Sequence, residues 1–107
     1  MIIVVYDAYN GQPISDGKAL ELAKVLLTLS ETQDGEHIFS YSTENVFVAI
    51  RCLIAEKEFS PKNIRFLFED KTLVIYSNGQ LSQYPKGFID FVTDLTLRAL
   101  QGSKSKL

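Results

Sequence analysis

The sequence predicts one small α/β domain. Its elements run β-α-β-α-β-β-α, in two or three layers on a partly parallel sheet that closes in an antiparallel hairpin. Three observations carry this expectation. Ile2 to Tyr6 is an unbroken run rich in β-branched residues, the pattern of a strand buried on both faces. Stretches with apolar residues at three- and four-residue spacing alternate with short strand-like runs. Two adjacent runs, 64–68 and 72–76, are separated only by Glu69, Asp70 and Lys71.

The first strand ends at Asp7, and 7–16 carries loop chemistry in Asn10-Gly11, Pro13, Ser15 and Asp16. Ser15 or Asp16 is suited to cap the helix that follows. Over 17–30, Ala19, Leu22, Ala23, Leu26 and Leu29 form one apolar face, which Leu20 and Leu27 widen. A polar turn over 31–36 leads into a short strand, 37–41. Ser42 or Thr43 is placed to cap a second helix, with Glu44 favourable in its first turn. Val46, Ala49, Ile50, Leu53 and Ile54 make its stripe.

Phe59-Ser60-Pro61 ends that unit, and the hairpin and an Asn78-Gly79 turn follow, then a short segment over 80–83. Pro85 suits the first position of a third helix, whose apolar face is Phe88, Phe91, Val92, Leu95 and Ala99. Strand–helix–strand connections imply right-handed crossovers. The 107 residues suit one domain, 1–103, followed by a flexible tail, 104–107.

Composition excludes several functions. Eleven basic against 13 acidic residues leave a net charge of −2, and the one basic cluster is Lys104 and Lys106, so nucleic acid is not expected as a direct partner. The single cysteine, Cys52, rules out an intramolecular disulfide and fits a reducing compartment. It reads as a small core hydrophobe rather than a reactive thiol. No apolar run reaches the ~18 residues of a membrane span, and the start lacks the charged region of a signal peptide. A cytoplasmic protein without membrane contact is expected.

The standard catalytic constellations are incomplete. A Ser/His/Asp triad needs a histidine base, and His37, the one histidine, lies among polar turn residues. One Cys and one His do not make a structural zinc site. Residues 11–18 hold glycines and a lysine, but the spacing is not that of a phosphate-binding loop and Pro13 removes an amide. No cofactor is expected. Asp7, at the carboxyl end of a strand, has two readings: a ligand or metal edge shared with Asn10 and Ser42, or a turn-former bonding the backbone around Asn10 and Gly11. The turn role is the commoner.

Phe39-Ser40-Tyr41-Ser42-Thr43-Glu44-Asn45-Val46-Phe47, followed by Ala49-Ile50-Arg51 and Leu53-Ile54-Ala55-Glu56, resembles the switch-histidine segment of ABC-type ATPases related to the SMC and OLD proteins. Phe59-Ser60-Pro61-Lys62-Asn63-Ile64 is similar to the way that family leaves the helix. Asn78-Gly79-Gln80-Leu81 and Tyr84-Pro85-Lys86-Gly87-Phe88-Ile89-Asp90 resemble a Gly turn followed by a Trp-Pro-x-Gly-Phe-Phe-Asp segment of one branch. The opening strand to Asp7, with the helix through Leu20-Glu21-Leu22-Ala23-Lys24-Val25-Leu26, looks like the Walker B strand, D-loop and following helix. The resemblance spans nearly the whole chain but only the C-terminal half of such an ATPase.

The departures set what the resemblance implies. Ser42 stands at the switch histidine, one acid at Asp7 replaces the Walker B pair, and the Walker A strand and loop are missing. Phosphoryl transfer depends on those parts together, so ATP hydrolysis by this chain alone is not expected. The resemblance implies a non-catalytic interaction module. A homodimer or a complex with a partner protein, such as an intact ATPase, is expected where the absent strand leaves an open edge or apolar face. Tyr41, Phe47 and Tyr84 are candidate contact residues. The alternatives are a small-ligand binder using Asp7, Asn10 and Ser42, or one chain of a split ATPase whose partner supplies the P-loop.

Overall fold

The computed structural model describes residues 1–84. Within them the elements are β1 (Ile2–Tyr6), α1 (Asp16–Thr32), β2 (His37–Tyr41), α2 (Asn45–Ala55), β3 (Ile64–Phe68) and β4 (Lys71–Val74). The expected order β-α-β-α-β-β is met. The expected third helix and the 104–107 tail lie outside the described residues. No helix among the described residues is long and apolar enough to cross a membrane.

The strands form one mixed sheet in the order β2-β1-β3-β4. β1 is central and parallel to both neighbours, with Val4 level with Phe39 on one side and Phe66 on the other. β3 and β4 are antiparallel, Phe66 facing Leu73. Alternation then sorts the side chains. Ile2, Val4, Ile64, Phe66 and Leu73 lie on one face and are buried. Ile3, Val5 and Leu67 lie on the other and are only partly covered.

Both helices cover the first face. α1 buries Ala19, Ala23, Leu26 and Leu27 and packs along α2. Leu20 does not widen that face as the spacing suggested; it is 47% exposed, while Ala19, Ala23, Leu26 and Leu27 are buried. α2 is buried nearly all round through Val46, Phe47, Ile50, Leu53 and Ile54. Phe47 meets Phe66 edge-on at 4.9 Å and Tyr6 at 6.0 Å, and Tyr6 stacks on Phe68 at 5.4 Å. Each such pair is worth about 0.5–1.5 kcal/mol beyond its buried area. This aromatic cluster fixes α2 over the carboxyl ends of β1 and β3.

The winding departs from expectation. β1–α1–β2 steps along the sheet in one direction, and β2–α2–β3 steps back past β1 in the other. With both helices on one face, the two crossovers have opposite hands, whereas about 98% of parallel crossovers are right-handed. The arrangement keeps the apolar stripes of α1 and α2 against each other as well as against the sheet.

Local chemistry explains where the elements stop. Ser15 is the N-cap of α1 but its side chain makes no capping bond. α2 starts later than Ser42 or Thr43 capping would place it: Glu44 is its N-cap and is itself helical in backbone. Lys57 adopts φ 66°, and bonds from Lys57 N to Ile54 O and Glu58 N to Leu53 O close α2 in a Schellman motif. Glu69 and Asp70, at φ 47° and 66°, make the two-residue turn between β3 and β4, so Lys71 belongs to the strand.

Candidate functional site

The carboxyl ends of β1 and β2 are tied together by the loop 7–15. Asp7 Oδ1 accepts hydrogen bonds from the backbone N–H of Tyr9 and of Asn10, both at 3.0 Å. The Asn10 and Tyr9 amides hold the Asp7 carboxyl below its ordinary range, outweighing a slight opposing effect of burial. Asp7 is therefore a turn-former. Its neighbour Gly11 is required by space: an added Cβ would lie 2.4 Å from the Tyr41 carbonyl carbon and 2.6 Å from both Asp7 O and Ser42 N.

Thr43 and Asn45 complete the tie, a role the sequence reading assigned to neither. Thr43 Oγ1 accepts from Ile14 N and donates to Asn45 Oδ1, while Asn45 Nδ2 donates to Ile14 O and to Asp16 Oδ1. The start of α2 thus clamps the loop and the start of α1. The Thr-x-Asn spacing preceding an apolar helix was the available signal, but polar residues there read first as caps.

Asp7, Asn10 and Ser42 lie near one another without converging on a ligand. Asn10 is exposed, and Ser42 is engaged through its backbone, donating to Gln12 O. The cleft at the ends of β1 and β3 is lined by Tyr6, Phe68, Asp7, Glu69 and Asp70, and among the described residues no Lys, Arg or His lines it. Such a rim repels phosphates and other anions. Among the described residues no cluster of His, Cys, Asp and Glu is arranged to hold a metal ion. In doubly wound sheets the ligand crevice opens where the strand order reverses. Here the reversal falls at β1, but α1 and α2 share one face.

The aromatic candidates separate. Tyr41 and Phe47 are 5% and 2% exposed, so the fold uses them as core and they are not contact residues. Burial raises the Tyr41 hydroxyl above its usual range and keeps it protonated. Tyr84 is 36% exposed but engaged: its hydroxyl accepts from Leu81 N at 3.1 Å and from Arg51 Nη2 at 3.3 Å, and its ring lies 5.5 Å from the guanidinium. Arg51 is buried and also donates through Nε to Gly79 O at 2.7 Å. His37 is exposed, with Nε2 3.0 Å from Asp34 O, and Cys52 is half-buried on α2.

The sheet has two unlike edges. Outside β4 the chain returns on itself, with Ser82 N donating to Val74 O and Tyr76 N to Gln80 O. Outside β2 a single one of the described residues pairs: Gln12 N donates to Ser40 O and Ser42 N donates to Gln12 O. His37 and Tyr41 bond inward to β1 (His37 N to Met1 O, Tyr41 O to Asp7 N), so the alternate residues Ile38 and Ser40 point their backbone groups outward. Ile38 N–H and C=O and Ser40 N–H meet no backbone partner among the described residues. The Ile38 side chain is 60% exposed.

Compared with known proteins, the chain matches no family model, no curated protein and no solved structure. Fold and site together define a small α/β domain with a filled core, a β4 edge closed at its Val74 end by the returning chain, and a β2 edge that among the described residues is open along Ile38.

Proposed function

We propose that this chain is a non-catalytic protein-interaction module, resembling half of an ABC-type ATPase domain, that acts through self-association or a partner protein. The β2 edge is the observation that supports it. A strand with outward amide and carbonyl groups and an exposed isoleucine is a template for pairing with another strand. Beyond its short length and the one-residue cover by Gln12 at its Tyr41 end, no proline, lysine or bulge interrupts 37–41. The strand-end cleft offers little to a nucleotide, because its charges are acidic.

Sedimentation velocity of the full chain over a range of micromolar concentrations tests this reading. A reversible dimer is expected, with Ile38→Lys shifting it to monomer while the circular dichroism stays unchanged. A monomer at every concentration would count against self-association and leave capture of a partner strand. In that case an added β-strand peptide should bind the wild type and not Ile38→Lys, and failure of both sinks the reading.

A further inference from the structure

The open stretch of β2 is a short alternating array of backbone groups. His37 N–H points inward to Met1 O, so across the same trans peptide Glu36 C=O points outward. Ile38 turns both its N–H and its C=O outward, and Ser40 its N–H. Ser40 C=O is held by Gln12 N, which closes the array at that end. From Glu36 C=O to Ser40 N–H the outward groups therefore run acceptor, donor, acceptor, donor. None of them has a backbone partner among the described residues. Taken in the opposite direction, the array is its own complement.

That self-complementarity fits one register. With two β2 strands antiparallel about a two-fold axis and Ile38 opposite Ile38, each Ile38 exchanges both of its bonds with the other. Ser40 N–H then meets Glu36 C=O at each end. Ile38, 60% exposed in the single chain, is covered by its counterpart. His37 stands opposite Phe39 and Glu36 opposite Ser40, so no like charges are opposed. Gly35, at φ 81°, turns the chain off the sheet where Gln12 of the other copy stands. A shift to either side loses the match. Centring on His37 sets the two imidazoles against each other and leaves Ser40 N–H beyond the end of the opposite strand. Centring on Phe39 drives His37 into the place that Gln12 occupies beside Tyr41.

We propose that the β2 edge pairs with the β2 edge of a second copy of this chain, antiparallel on a two-fold axis at Ile38, so that two four-stranded sheets become one sheet of eight strands. This rests on the interaction reading above and names the partner that reading left open. The two-fold arrangement uses both β2 edges, so association stops at the dimer.

The test is an isotope-filtered nuclear Overhauser measurement on an equal mixture of labelled and unlabelled full chain. A contact is expected between His37 Hα of one copy and Phe39 Hα of the other, because such non-hydrogen-bonded pairs bring their Cα atoms to about 4.5 Å. As a second measurement, Ile38→Cys should bridge to itself on mild oxidation, its Cα atoms lying about 5.5 Å apart. His37→Cys should not, because its two copies lie diagonally, about 7–8 Å apart. Peptide mass mapping separates these bridges from any through Cys52. A His37-to-His37 contact, or bridging by His37→Cys in place of Ile38→Cys, would overturn the register. A dimer without contacts between β2 strands would overturn the proposal and the edge reading together. A monomer at every concentration that still binds an added β-strand peptide would overturn the second copy and keep the interaction reading.

Discussion

The two edges of the sheet are built from the same material and treated differently. At β4 the chain turns at Asn78-Gly79, runs back outside the strand and bonds to Val74 and Tyr76, while Lys71 and Thr72 leave the remainder polar. Buried Arg51 locks that turn from beneath by donating to Gly79 O. At β2 the corresponding cover among the described residues is one residue, Gln12, at one end. The difference teaches that an edge is closed by a specific set of bonds, and that where those bonds are missing the strand is available to another chain.

The largest effect is expected where the closed edge is tightest. Gly79 has φ 84°, and a Cβ there would lie 2.6 Å from Arg51 O and 2.9 Å from Ala55 Cβ. Gly79→Ala should destabilise the protein by about 3 kcal/mol or more, from strained backbone and overpacking together. Thermal unfolding reads this directly. Arg51→Met should cost about 2–3 kcal/mol by leaving the Gly79 carbonyl without its buried donor. Arg51→Lys should recover only part of this, because a lysine lacks the planar fork that reaches both Gly79 and Tyr84.

At the open edge the prediction reverses. Ile38→Lys should alter stability by less than about 0.5 kcal/mol, as an exposed substitution. It should nevertheless weaken association about tenfold or more, by placing like charges at the pairing strand. A variant that unfolds the chain, or leaves sedimentation untouched, would break the contrast between the edges.

Smaller effects sharpen it. Asp70→Gly should stabilise the hairpin by about 0.5–1 kcal/mol, since glycine adopts the left-handed turn without a side-chain penalty. Asp7 adds a pH dependence at the β1–β2 end. Its folded pKa lies below the ordinary aspartate value of 3.8, so its contribution is fully present above that value and is lost as pH falls through the lowered one. Asp7→Asn should flatten the acid limb of the stability profile in that window and change little at neutral pH.

Much of the fold was legible because periodicity reports burial. The β-branched run of β1 and the 3/4 stripes of α1 and α2 each mark residues that must meet a core. The sequence did not reveal which face each helix takes. That choice depends on α1 packing along α2, a long-range contact, and it gave the two crossovers opposite hands. Arg51 was equally hidden: in a helical pattern a lone arginine reads as solvent-facing, and only the return of Gly79 and Tyr84 gives it buried partners.

For the candidate site, Asp7 was legible as a turn-former because Asp followed by Asn-Gly is turn chemistry. Tyr41 and Phe47 were misplaced as contacts, since nothing local distinguishes a surface aromatic from a core one. The open β2 edge had no local signal either. An edge is defined by which strands are neighbours, which the residues of β2 alone do not encode.

The central claim is that the β2 edge is the working surface of this domain. Hydrogen exchange at single amides, followed across protein concentration, tests it most directly. The account predicts that Ile38 and Ser40 amides become protected as concentration rises, while Thr72 on the opposite edge exchanges at an unchanged rate. Concentration-independent exchange at Ile38 and Ser40, or new protection confined to the 7–10 loop, would contradict it.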